Sequence, residues 1–377
     1  MPGDAHSGLV DLFCELAAIP SPPGSERRVA DRVAAELDVL GLEVEEDESA
    51  PRIGGDTGNL LCRLEPTDPA GTAIFLCAHL DTVTPAGPID PVVEAGDVRN
   101  AAGTILGGDD KAAVAVMLEA TRRILAEGRP HGGLELLFTP KEEVGLVGAY
   151  AFDHTRLRAR IGFVYDQAAP IGEIVLGAPS SVAVDATFLG RAAHAGMYPE
   201  EGRSAIAAAA RAIADLRLGR LDEETSANVG VIEGGSARNV VPDRCALRAE
   251  ARSHDEAKLS DLVREMTETF SFAAALEQCE VETTVSRSYR AYRFQPGDAA
   301  VRLAVAALER TGHTPTFSLT GGGADANVFN ERGLACVNLA NGMSEIHTPA
   351  EHIAVADLEA MVEVTLALVD VARGGIS

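Results

Sequence analysis

Apolar residues in the first half of the chain alternate between two spacings. "SERRVADRVAAELDVLG" (25–41) repeats them at helical intervals, with Ser25 as its predicted N-cap and Gly41 as its stop. "TAIFLCA" (72–78) is instead a nearly unbroken apolar run, the pattern of a strand covered on both faces. "LGGDDKAAVAVMLEA" (106–120) opens a long apolar helix that "EGRP" (127–130) ends, and Asp109 or Asp110 could cap it. Short apolar runs recur at "LELLFT" (134–139), "IGFVYD" (161–166) and "ACVNLA" (335–340). Strands interleaved with helices predict an α/β domain on a mainly parallel sheet.

From about Pro179 the pattern changes. A strand beginning at "SSVAVDATFLG" leads into an alanine-rich helix starting near Ser204, and "ANVGVIEGG" and "CALRAEARSH" follow as strands. In the latter, Leu247, Ala249 and Ala251 alternate with Arg248, Glu250 and Arg252, the two-residue period of a half-buried strand. "DEAKLSDLVREMTETFSFAAAL" reads as an amphipathic helix and "VETTVSRSYRAY" as a further strand. Residues 179–289 are therefore expected to form a smaller α+β insert, with 1–178 and 290–377 making one discontinuous domain. At 377 residues the chain is long enough that two cores are the natural expectation.

Charge narrows the partners. A formal net charge of -25 argues against nucleic acid, which is bound through Lys and Arg on phosphates, and against an anionic membrane surface. No window approaches the ~20 apolar residues needed to span a bilayer. The start lacks the basic and apolar stretches of a signal peptide, so a cytoplasmic protein is expected. The six cysteines are scattered without a CxxC pair, and Cys77 and Cys336 fall in apolar runs as buried thiols. Lysine occurs only at 111, 141 and 258; the first two could balance an acidic crevice.

The acids and histidines fall where strands end. The 72–78 run leads into "HLDTV", giving His79 and Asp81, and 134–139 leads into "PKEEVG", giving Glu142 and Glu143. The 161–166 run ends on Asp166, and 335–340 leads to "NGMSEIHTP", with His347. Ligands bind outside the carboxyl ends of strands in open α/β sheets, so these groups and Asp109–Asp110 are predicted to share one crevice. So many carboxylates would repel one another unless cations were bound. Two imidazoles among carboxylates suit zinc, with cobalt or manganese as alternatives. Two ions about 3.5–4 Å apart, bridged by one carboxylate, form a centre that hydrolyses amides or phosphates. The doublet fits if one Asp bridges the ions and the other supports the loop.

Taken together, "HLDTV", "GGDDKAA", "TPKEEVGLVGA", "VYDQ", "GRAAHAGMYPEEGRSAI" and "EIHTPAEHI" resemble, in order, the M20 family of zinc peptidases and amidohydrolases, closest to its peptidase T-like (tripeptidase) branch. The resemblance implies a catalytic domain of zinc-exopeptidase type with the insert as a lid and dimerisation domain. It implies His79, Asp109 and Asp166 on one zinc and Asp109, Glu143 and His347 on the other. Asp81 would orient His79 through its second ring nitrogen, as such carboxylates often do. Glu142 would be the general base. His194 corresponds to a lid histidine that reaches a partner subunit's active site and polarises the scissile carbonyl. Asn239 and Arg252 stand where relatives hold the substrate carboxylate. The glycine run "TGGGAD" (320–325), with Gly322 and Gly323, would let the backbone approach the substrate; it lacks the GK[ST] of a phosphate loop.

The resemblance implies a dizinc aminopeptidase acting on short peptides, with an M20 amidohydrolase acting on N-acyl or N-carbamoyl amino acids as the alternative. Aspartate at 166 goes with free N-termini in this family and so favours the peptidase. A non-catalytic metal or peptide binder would be expected to lack a ligand or the base, and every expected position is filled. His6, His131, His154, His254 and His313 match no motif and are read as surface, and His352 as packing or capping.

Overall fold

A computed structural model describes residues 8–375. The chain divides into two compact units. The first takes the described residues up to Leu176, then Arg293–Leu319 and the chain from Ala324 onward. The second takes Gly177–Tyr292 and Thr320–Gly323. Residues 320–323 thus leave the domain to which the sequence reading assigned them. His254 Nε2 lies 2.9 Å from the Thr320 carbonyl, and the Thr320 N–H donates to the Gly177 carbonyl at 3.1 Å, which ties the segment to the second unit.

The larger sheet runs in the order Val44–Glu46, Leu60–Leu64, Leu134–Thr139, Ile74–His79, Ile161–Gln167, Ala335–Ala340, Glu173–Ala178, Tyr292–Arg293. The pairings at its centre, which join 134–139, 74–79, 161–167 and 335–340, are parallel. Toward the margins, 44–46 on 60–64, 60–64 on 134–139 and 335–340 on 173–178 are antiparallel. The sheet is therefore mixed, with its parallel part where the acids and histidines were expected. Every residue of Ile74–His79 and Leu134–Thr139 is buried, and the helix Gly108–Glu127 packs on the first of them. Ile74–His79 and Ile161–Gln167 pair Phe75 with Gly162, and a Cβ on Gly162 would lie 2.1 Å from the Phe75 ring. That close approach demands glycine.

The helix Gly108–Glu127 is apolar nearly all round and correspondingly buried, packed against Gly8–Ala17 and Val355–Arg373. It stops at Gly128, whose left-handed backbone (φ +60) turns its N–H back to the carbonyls of Ile124 and Leu125. Its start differs from the sequence reading. Neither Asp109 nor Asp110 caps it, and both lie outside helical dihedral angles. The helix Arg27–Val39 is likewise not capped by Ser25. Glu26 takes the N-cap position, and the N–H of Arg27 is satisfied by the distant Asp56 carboxylate at 2.9 Å.

In the second unit an antiparallel sheet runs Gly219–Arg220, Thr225–Gly234, Arg244–Ser253, Ser180–Leu189, Glu280–Tyr289. Ala205–Asp215 and Glu256–Leu276 pack on it and enclose a separate core that includes Phe188, Leu247 and Phe270. Ser204 caps the first helix through the Ala207 N–H, and Asp255 caps the second through Ala257 and Lys258. Among the described residues no helix is long and apolar enough to cross a membrane. All six cysteines are free.

Candidate metal centre

The parallel strands deliver their C-terminal residues to one place in the first unit. His79 is the last residue of Ile74–His79, and its Nε2 lies 3.1 Å from Asp109 Oδ1. The other oxygen of Asp109 lies 3.2 Å from His347 Nε2, which is also 3.0 Å from Glu143 Oε1. One carboxylate therefore stands between two imidazoles. Ligand atoms of His79, Asp109 and Glu143 lie within 4.8 Å of one another, and so do those of His79, Glu142 and Asp166. His79, Asp109 and Glu142 are buried, Glu143 and Asp166 partly so, and His347 is exposed.

The groups strain one another electrostatically. Burial, reinforced by the charge of Asp166, pushes the Glu142 carboxyl well above its ordinary range. Burial and the charge of Asp109 do the same to Asp166. Burial opposes ionisation of Asp109, but His347 and His79 hold it below the usual carboxylate range. Asp109 and Glu143 raise His347 to about 10. Burial disfavours the His79 imidazolium, yet Asp109 and Asp81 override it and raise that group too. Cations bound among these acids would neutralise their charge. The donors are carboxylate oxygens and imidazole nitrogens with no thiolate, a set that fits a pair of divalent ions of the zinc, cobalt or manganese kind.

Backbone contacts hold the segments in place. The Asp81 carboxylate accepts the N–H of Glu142 at 2.8 Å and of Glu143 at 3.1 Å. Its main role is thus to grip the backbone of both glutamates. His79 Nδ1 lies 2.8 Å from the Asp81 carbonyl and 3.5 Å from its carboxylate, so both the main chain and the side chain of Asp81 face the ring. Asn338 accepts the Asp166 N–H at 3.0 Å and donates to the Asp166 carbonyl at 2.7 Å. The Asp109–Asp110 peptide is cis. Asp110 was expected to support the loop, but its buried oxygens have no hydrogen-bond partner. Glu351 does that work instead, accepting N–H groups from Leu106, Gly107 and Asp109. Sequence reasoning passed over it, although it stands inside "EIHTPAEHI" as an acid four residues beyond His347.

Neither motif lysine meets a carboxylate directly. Lys111 is fully buried, its ammonium on the Ile19 carbonyl, and burial lowers it to about 7. Lys141 donates to the Ile53 carbonyl at 2.7 Å. Four histidines read as surface groups are at least partly buried. His131 is buried, and His154, His254 and His313 are half-buried, since absence from a motif says nothing about packing. His6 lies outside the described residues. His352 belongs to the strand His352–Ala354.

The second unit contains the other candidates. His194 is exposed, and its Nδ1 accepts the N–H groups of Gly196 at 3.2 Å and Met197 at 3.1 Å. Asn239 is its neighbour across a pairing in which the Ala195 N–H donates to the Asn239 carbonyl at 2.9 Å. Arg252 donates to Glu250 at 2.9 Å and to the Gly321 carbonyl at 3.3 Å. Gly323 is explained by packing: a Cβ there would lie 2.3 Å from the Tyr289 ring. At Gly322 a Cβ would meet Thr320 Oγ1 at 3.7 Å, an ordinary contact, so packing does not demand glycine there.

An imidazole–carboxylate cluster on the carboxyl edge of parallel strands, with one carboxylate set between two imidazoles and further buried acids in the cluster, defines a hydrolytic metalloenzyme. Residues 75–371 match peptidase family M20/M25/M40. The protein YqjE of Bacillus subtilis is 38% identical over 362 residues, 96% of this chain and 97% of its own length. Aminopeptidase PepT from Bacillus cereus superposes with a TM-score of 0.84 at 40% identity, covering 97% of this chain and 98% of that one. A tripeptidase from Staphylococcus aureus gives 0.89 at 36% identity, again over 97% and 98%. The chain belongs to peptidase family M20/M25/M40.

Proposed function

We propose that the protein is an aminopeptidase that releases the N-terminal residue of short peptides, tripeptides foremost, with two zinc ions per subunit. His79, Asp109 and Asp166 would hold one ion, and Asp109, Glu143 and His347 the other. The observation that carries the reading is Asp109, whose two oxygens each face an imidazole. Similarity to an aminopeptidase and a tripeptidase over nearly the whole of each chain supports the substrate class.

When bound, the ions supply Lewis acidity toward the scissile carbonyl and the attacking water. Glu142 takes the proton from that water and passes it to the leaving amine. Its carboxyl is suited to this because burial raises its affinity for a proton. Asp81 fixes where the base stands by holding its N–H. His194 accepts two N–H groups at Nδ1, so its own proton sits on Nε2, available to donate to the carbonyl oxygen of the substrate. Asn239, Arg252 and Gly322 are assigned to substrate binding. Assembly as a homodimer through residues 179–289 and a cytoplasmic setting, in keeping with six free thiols, complete the reading.

The test is a substrate comparison on purified protein stripped of metal and reloaded with zinc, cobalt or manganese. Release of alanine from Ala-Ala-Ala, with N-acetyl- and N-carbamoyl-alanine left intact, is the expected result. Turnover confined to the acylated compounds would overturn the peptidase assignment in favour of a deacylase.

A further inference from the structure

His347 is the most exposed member of the centre, yet it must stand beside a buried carboxylate. It sits on a short loop closed at its base by Ser344 and His352, which exchange N–H···O=C bonds of 3.0 and 3.1 Å. Two of its non-glycine residues, Glu345 and His347, have left-handed backbone, φ +54 and +64. Side-chain-bearing residues adopt that region sparingly and at a cost, so the surrounding structure must impose it.

Glu351 connects this loop to the rest of the centre. It is only 3% exposed, and its carboxylate points away from solvent into the turn before the helix Gly108–Glu127. Oε2 accepts the N–H of Leu106 at 2.7 Å and of Gly107 at 2.9 Å, and Oε1 accepts that of Asp109 at 3.1 Å. A Cβ on Gly108 would come within 3.2 Å of Oε1. One side chain from the His347 loop therefore grips the very backbone that presents Asp109. A carboxylate suits the position because two charged oxygens can take three donors, and charged acceptors bind more strongly than neutral ones.

We propose that Glu351 is a positioning residue: it sets the spacing between His347 and Asp109, and with it the affinity for the ion on the His347 side. The inference rests on the ligand assignment proposed above. Glutamine at this position would offer one acceptor oxygen and turn its NH2 group toward the remaining N–H donors. Groups that orient metal ligands in this way typically change affinity 10–100-fold when altered.

The test compares full-length wild type with Glu351→Gln, Glu351→Asp and His347→Ala. Zinc is titrated into each metal-free protein against a chromophoric chelator, and kcat and KM for Ala-Ala-Ala are followed as free zinc rises. In Glu351→Gln one of the two binding steps is expected to weaken by roughly 10–100-fold while the other holds. At saturating zinc, kcat should return close to the wild-type value with KM little changed. Glu351→Asp keeps the charge on a shorter arm and should weaken the same step by a smaller factor. Unchanged binding in the glutamine variant, or in the aspartate variant if the glutamine one does not fold, overturns the proposal. So does equal weakening of both steps together with a lower melting temperature of the metal-free protein, the result a purely structural role would give. His347→Ala separates the two readings. If it binds both ions as wild type does, the dinuclear assignment itself fails; if it loses one while the Glu351 variants lose none, only the positioning role fails.

Discussion

Glu142 and Glu143 are adjacent, and Asp81 holds both by their backbone N–H groups, but their side chains enter different surroundings. Glu143 meets His347, whereas Glu142 lies buried near the charge of Asp166. Replacing the proposed base, Glu142→Gln, removes a proton carrier without removing a ligand. Elemental analysis should find zinc retained, and steady-state assay should find kcat lower by roughly 10²–10⁴-fold. A variant with wild-type kcat would exclude Glu142 as the base. Most acids and histidines of the centre were legible in the sequence because they end or follow an apolar strand run, whereas Asp109 stands at the start of an apolar helix. The contacts that hold them were not. Asp81, Asn338 and Glu351 act on backbone N–H and C=O groups of segments remote in sequence, and such bonds leave no periodicity to read.

Strands were easier to read than helix starts. "LELLFT" and "ACVNLA" are the observed strands Leu134–Thr139 and Ala335–Ala340, since a fully covered strand is an uninterrupted apolar run. The starts of Arg27–Val39 and Gly108–Glu127 were misplaced because their first N–H groups or first residues answer to distant partners, Asp56 in one case and the metal centre in the other. The turn His154–Arg156 carries a consequence of the same kind. His154 packs edge-on against Phe152 and Phe329, each with ring centroids 5.7 Å away, and burial together with the charge of Arg332 lowers it to about 4. Unfolding releases it to an ordinary value near 6.5, so the unfolded chain binds the extra proton between those two values. Its contribution is therefore intact above about pH 6.5 and lost as pH falls through that window toward 4. Urea titrations at stepped pH should show wild type losing stability relative to His154→Phe across that range. Parallel pH curves for the two proteins would contradict a neutral, packed His154.

At the scale of the whole molecule, length led two cores to be expected and the chain divides into two compact units, while nothing in the pattern of residues marks 320–323 as part of the second. That return depends on His254, Gly177 and the Tyr289 ring, which meet the segment only after folding. An acidic chain of net charge -25 that also buries a cluster of carboxylates should depend on its cations for stability. Chelation is expected to lower the melting temperature in scanning calorimetry, and zinc to restore it. With free zinc at 1,000 times its dissociation constant the difference is about 4 kcal/mol. A transition indifferent to chelator would count against tight binding. The order of the large sheet also bears on when the molecule becomes competent. Ala335–Ala340 lies between Ile161–Gln167 and Glu173–Ala178, and His347 comes after it. While the polypeptide is still emerging from the ribosome, a slot remains open in the middle of that sheet and the last imidazole has not been made. A prematurely terminated product carrying His79, Asp109 and Glu142 would lack both that strand and His347.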